Sequence, residues 1–339
     1  MAISSTYAPN APTGRTSTGS AIGNREDLSN ELTLLAPEET PILSLAGKGT
    51  AKSTFSEWTA DKLSAPQTTG ISEGTDVNSF SDKFADRARL GNYVQIFRRD
   101  FLVSNLQEAV TSVGPANVAQ AEAKSMRELK RDVEARICSN SDMTAEDGSG
   151  TPYAFRGLGS WLSSTAQGVN PVPAAYRTPA GSILTTGGTT PTSETAFNDL
   201  IASIFSVNGE ANALTLVANV ALRKTISNFT RSNSLTPSEA IYNVQQNADS
   251  KKVTHSVQLY DSDFGVVKVI NGNPDCMSTA IGGFANLGYL LNPSFLQFNT
   301  LIPMGATRLE NQGGGERGFV DMTGTLVVKH PGAHGKLAY

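Results

Sequence analysis

The sequence predicts an α+β fold, and three stretches carry that prediction. Residues 115–140, PANVAQAEAKSMRELKRDVEARICSN, read as one long amphipathic helix. Residues 50–105 set two strand-like arms, TFSEWTADKL and YVQIFRRDFLVSN, around a polar reach rich in Gly, Ser, Asp and Lys. From Glu194 helices and short strands alternate, and the chain closes on TGTLVVKH, long enough to pair back beneath the long helix.

In chain order, residues 1–24 are almost all Ser, Thr, Ala, Pro, Asn and Gly. Such a segment buries too little surface to offset its ordering, so a mobile arm is expected that orders only against a neighbour. Pro9 and Pro12 and the lack of an apolar period leave it no helical block of its own. Leu28, Leu32 and Leu35 then recur at helical spacing until Pro37 and Pro41 break the pattern, which predicts a short helix and an extended crossing.

In the return arm of residues 50–105, Tyr93, Phe97, Phe101 and Val103 share one face, and Val94, Ile96 and Leu102 the other. At strand rise this arm is roughly 43 Å long, about twice an ordinary strand. A two-stranded hairpin of that length, apolar on both faces, is marginal alone, and its open edges need cover. The expected cover is another copy of the chain. The candidate contact residues are Trp58, Tyr93, Phe97, Arg98, Arg99 and Phe101. Aromatics beside Arg98 and Arg99 also fit a single-strand stacking platform, but on a long exposed strand they suit a protein interface better.

The long helix gathers Val118, Met126, Leu129, Val133 and Ile137 on a narrow stripe, with Lys124, Arg127, Glu128, Arg131 and Asp132 around the rest. Pro115 is placed in its first turn, and Lys130–Glu134 and Asp132–Arg136 have i,i+4 spacing. About 25 residues make a rod of roughly 37 Å. The Pro-, Gly- and Thr-rich stretch from Gln167 to Ser193 reads as loop and marks a domain boundary. Beyond it a helix is expected from Glu194 to Val207, with Phe197, Leu200, Ile201 and Ile204 on one face and Asn208-Gly209 as its stop. The strand ANALTLVAN follows, then Asn219 capping the helix VALRKTISNF, then a hairpin of VTHSVQLY and GVVKVI turned between Asp261 and Gly265. LGYLLN and LQFN are further short strands. The expected division is an arm over 1–45, an extended hairpin loop over 46–105, a unit over 106–190 and 301–339 built on the long helix, and a second α+β unit over 191–300.

Composition excludes several functions. A net charge of −4 with no basic tract argues against tight nucleic-acid binding. Cys138 and Cys276 make neither a disulfide framework nor a zinc knuckle, and two buried thiols are expected. No apolar run is long enough to cross a bilayer, so no membrane partner is expected. AGKGTAKST puts Ala46 and Ala51 where a phosphate loop requires glycines, which leaves a flexible elbow. His330 and His334 have metal-like spacing, but HPG between them is turn sequence, and no third ligand lies nearby. His255 alternates with Val253, Val257 and Leu259 as a half-buried strand residue. No nucleophile elbow or paired carboxylates occur, so no cofactor, metal or catalytic residue is assigned.

The order of parts resembles the HK97-type major capsid protein of tailed bacteriophages. NREDLSNELTLLAPEETPILSL, SEWTADKL and the closing GTLVVKHPGAHGKL resemble the SU10-like major capsid family, over the chain from about Asn24. The resemblance implies an HK97-like fold with an extended loop, a peripheral domain on the spine helix and an axial domain. It also implies a shell subunit that forms hexamers and pentamers of an icosahedral head around double-stranded DNA, held by weak non-specific contacts. Scaffolding, decoration and portal proteins are candidate partners. The Lys and Asn positions that crosslink some relatives have no match here. The competing readings are a tail-tube or other assembly subunit, and a hydrolase with its site in the α+β unit.

Overall fold

The computed structural model describes residues 39–110, 117–185, 193–209, 214–229, 258–277 and 286–338. The helix expected around Leu28–Leu35, the arm before it, Pro115 and His255 lie outside the described residues.

The spine helix runs over Val118–Cys138. Good helix formers without internal Gly or Pro sustain it, and Asn117 caps it by accepting the Gln120 N–H at 3.0 Å. Leu129, Val133 and Ile137 are fully buried, in steps of four. At 1.5 Å per residue it is roughly 31 Å long, shorter than expected. Neither expected i,i+4 pair forms. Asp132 instead binds Arg99, Arg136 donates to the carbonyls of Asp142 and Phe155, and Glu134 is buried. The pair that does form is Lys124–Glu128, at 3.9 Å.

Two short helices precede it, α1 (Pro41–Leu45) and α2 (Asn105–Ala109), which makes the spine helix α3. Pro41 does not interrupt a helix; it opens one.

The spine lies across a four-stranded sheet of β1 (Gly47–Thr50), β4 (Gln95–Val103), β10 (Leu296–Leu309) and β11 (Glu316–Val328), in the order β1-β10-β11-β4. β1 runs parallel to β10, and the other pairs are antiparallel. Under the spine, Phe97, Phe101 and Val103 meet Val320, Met322, Leu326 and Phe298 in one apolar core. Gly47–Thr50, within the stretch expected as an elbow, is therefore a paired strand.

β2 (Phe55–Ala60) and β3 (Ala88–Tyr93) form a separate antiparallel ribbon, and residues 61–87 between them carry neither helix nor strand. The return arm is thus not one long strand. It breaks at Val94, with β3 pairing to β2 and β4 pairing to β11. Buried Asn92 holds the break, donating to the Leu326 carbonyl and accepting the Arg156 N–H, each at 2.8 Å.

The second sheet has six strands in the order β5-β12-β9-β6-β8-β7. These are β5 (Ile183–Thr185), β6 (Thr215–Ala218), β7 (Leu259–Ser262), β8 (Gly265–Asn271), β9 (Asn286–Leu291) and β12 (Gly335–Ala338). Two helices cover it: α5 (Glu194–Asn208), capped by the Ser193 hydroxyl and stopped by left-handed Gly209, and α6 (Val220–Phe229), capped by Asn219. A short α4 (Leu158–Trp161) lies against the spine. β9 joins the two cores: Leu290 faces the α5 side, while Tyr289 and Leu291 face the spine, and the Tyr289 hydroxyl donates to the Cys138 carbonyl at 2.6 Å.

Sheet membership crosses the expected boundaries. β5 and β12 come from the stretches assigned to the spine unit yet join the six-stranded sheet, where Leu337 is fully buried. Leu296–Thr300, expected in the second unit, pairs in the four-stranded sheet.

Candidate interaction surface

The six residues singled out in the sequence have different fates. Phe97 and Phe101 are each only 7% exposed, packed under the spine with Phe155. They are core residues, a correction to their reading as contacts, because a side chain already covered by its own chain has little surface left to offer. Arg99 lies on the same side and grips Asp132 of the spine at 2.6 and 2.7 Å; that hydrogen bond raises its pKa. Tyr93 is half-buried between Phe55 and Tyr153, and Trp58 stacks at 5.6 Å on buried Trp161. Arg98 alone points fully outward, 3.6 Å from Asp321 and over the Phe319 ring at 4.5 Å.

The exposed apolar groups lie elsewhere. Every residue from 61 to 87 is exposed, and Leu63, Ile71, Val77, Phe80 and Phe84 stand in solvent, with Leu63 and Phe80 at 93% and 90%. Ion pairs close the root of this loop, Arg87 to Asp61 at 3.1 Å and Arg89 to Glu57 at 3.8 Å. A second exposed set lies on the outer face of the four-stranded sheet. Ile96 and Ile302 flank buried Thr323 across three strands, and Leu102 and Leu309 flank Arg317 in the same way, with Leu106 beyond on α2. The alternation along β4 revealed these residues, but its inner and outer faces could be told apart only by where the spine packs.

The described residues offer little to chemistry. Among them no three His, Cys, Asp or Glu side chains gather as metal ligands. His334 is buried in the turn before β12, where its Nδ1 accepts the Asn292 N–H at 3.1 Å and burial drives its pKa down to about 3. Cys138 and Cys276 are buried thiols, and burial lifts the Cys276 pKa to about 12. Clefts of about 300, 590 and 470 Å³ each carry a single carboxylate in their lining, Glu57 in the first and Glu39 in the other two.

A model of the SU10 major capsid protein family matches residues 11–339. The chain belongs to that family. Solved structures agree on the fold. The capsid of the cyanophage P-SCSP1u is 13% identical, with 98% of each chain covered and a TM-score of 0.59. The capsid of a native GTA particle is 11% identical over 95% of this chain and 97% of that one, with a TM-score of 0.60. Gordonia phage Cozz is 12% identical over 96% and 97%, with a TM-score of 0.59. No curated protein matches. This SU10-family subunit therefore has the HK97-type capsid fold, is a structural component of a shell, and has its place in the virion capsid.

Proposed function

We propose that this major capsid protein assembles as hexamers and pentamers into an icosahedral head around double-stranded DNA, without catalysis, and that each subunit lays its 61–87 loop on a neighbour. The observation that carries the reading is the loop itself: a segment exposed along its whole length, with five large apolar side chains in solvent, has the character of a surface that another protein covers. Fivefold symmetry in the GTA capsid supports pentamers, and the decoration proteins solved with the phage G capsid support an external partner. In this reading α3 and the four-stranded sheet form the peripheral domain, and the six-stranded sheet with α5 and α6 forms the axial domain. With a net charge of −4 the subunit holds DNA by confinement and weak, salt-sensitive contacts, with scaffolding and portal proteins as further partners.

Replacing residues 64–84 by a short Gly-Ser turn tests the loop. The ribbon of β2 and β3 remains, so the variant stays folded with an unchanged unfolding midpoint. Electron microscopy then shows no closed shells. Normal particles from this variant would refute the proposal.

A further inference from the structure

α1 begins without a cap of its own. Its N-cap residue, Thr40, makes no side-chain hydrogen bond to the first turn, and Pro41 has no N–H to satisfy. The spine helix supplies the cap from 92 residues away: the two oxygens of Glu134 accept the N–H groups of Ile42 and Leu43, each at 2.9 Å. Glu134 is 1% exposed and Ile42 fully buried. Among the described residues no basic side chain makes an ion pair with Glu134. A second tie holds the same joint, Asn273 donating to the Glu39 carbonyl at 2.8 Å.

The charged groups around the joint leave Glu134 uncompensated. On the spine, Arg131 is engaged with Asp275, and Cys138 lies one turn further along. On the facing turn, Cys276 donates to the Arg131 carbonyl at 3.6 Å. On the α1 side, Glu39 lines an open cleft with Arg127 and Lys130. A carboxylate surrounded by thiols and apolar groups, with only two amides for solvation, is costly to keep charged.

We propose that Glu134 is a proton-responsive fastener that holds α1 on the spine more tightly when neutral than when charged. Acid tightens the joint and alkali loosens it. The joint thereby sets how firmly residues 39–45 sit on the spine of the shell subunit. The sign follows from linkage. Burial raises the carboxyl from its ordinary 4.5 to about 7 in the docked state, against the opposing pull of the two amides. Undocking exposes the group and restores the ordinary value. Docking therefore takes up a proton between about pH 4.5 and 7, and the undocked fraction rises by up to tenfold per pH unit across that window, then levels off.

Amide hydrogen exchange on the full-length unassembled subunit reads this directly, in peptides spanning Ile42 and Leu43 and corrected for the intrinsic pH dependence of exchange. Protection should fall severalfold per pH unit from pH 5 to 7 and be flat above. Glu134→Gln should abolish the slope, and Glu39→Gln should leave it intact. A pH-independent protection in the wild type, or a slope that survives Glu134→Gln, would overturn the proposal. Should Glu134→Gln not fold, a carbon-13 titration of the wild-type side-chain carboxyls decides: a Glu134 midpoint near 7 supports the fastener, and one below about 5 overturns it.

Discussion

Replacing Phe97 by alanine and, separately, its neighbour Ile96 by serine measures which face of β4 belongs to the subunit. Phe97 is 7% exposed, stands opposite Met322 on β11, and its ring centre lies 5.9 Å from that of Phe155. An aromatic side chain buries about 150–250 Å², worth about 4–6 kcal/mol at 25 cal/mol/Å². Alanine keeps part of that, and measured losses for such truncations run at about 3–5 kcal/mol. Ile96 is 60% exposed, so its replacement should change stability by less than about 0.5 kcal/mol. Urea unfolding of the unassembled subunit, followed through Trp58 and Trp161, gives both numbers, and particle yield by electron microscopy gives the effect on assembly. Phe97→Ala should lower the midpoint strongly with an unchanged m-value. Ile96→Ser should leave the midpoint alone and lower the yield of closed shells. An unshifted midpoint for Phe97→Ala would mean that this face is not covered by the chain's own spine helix, and the argument for core would fail.

Two more outcomes follow from buried polar groups. Arg156, 1% exposed, pairs with Asp142 and donates to the Val169 carbonyl at 2.6 Å, so Asp142→Ala strands a buried guanidinium and should cost about 3 kcal/mol in the same urea assay. No loss would mean that backbone carbonyls satisfy Arg156 unaided. His334 titrates in the opposite sense to Glu134: burial lowers its folded pKa from 6.5 to about 3, so its contribution is fully present above pH 6.5 and is lost as the pH falls toward 3. Thermal midpoints of the wild type should decline over that range and those of His334→Gln should decline less; equal slopes would remove His334 from the account.

What was legible in the sequence was what local chemistry decides. The helix Glu194–Asn208 is written in its own caps, the Ser193 hydroxyl at one end and Gly209 in the left-handed conformation at the other, and in apolar residues stepping by three and four. Asn219 announces α6 in the same way. The alternation along β4 was also legible, as a period without a direction: whether Phe97 or Ile96 faces inward depends on the position of the spine helix, which no residue near β4 encodes. The break at Val94 is invisible for a similar reason. The apolar pattern runs straight through it, and the groups that impose it, Arg156 and Leu326, meet Asn92 from 64 and 234 residues away. Glu134 shows the limit most clearly. Its spacing from Lys130 suggests a solvated helix pair, but its partners are the amides of Ile42 and Leu43.

The two apolar inventories of the chain are kept apart, and the separation bears on how a shell closes. Phe97, Phe101, Leu129 and Val133 are used up within the subunit's own core. Leu63, Phe80, Ile96 and Leu102 are left outside. In the assembly proposed above, one copy's loop laid on the sheet face of the next copy around a ring is a heterologous contact, with every copy offering one half and receiving the other. A heterologous contact satisfies every copy only when the ring closes; at any open edge one loop and one receiving face remain in water. The last subunit added therefore makes two contacts where each earlier addition made one. That asymmetry favours closed rings over open chains and requires no strong individual contact.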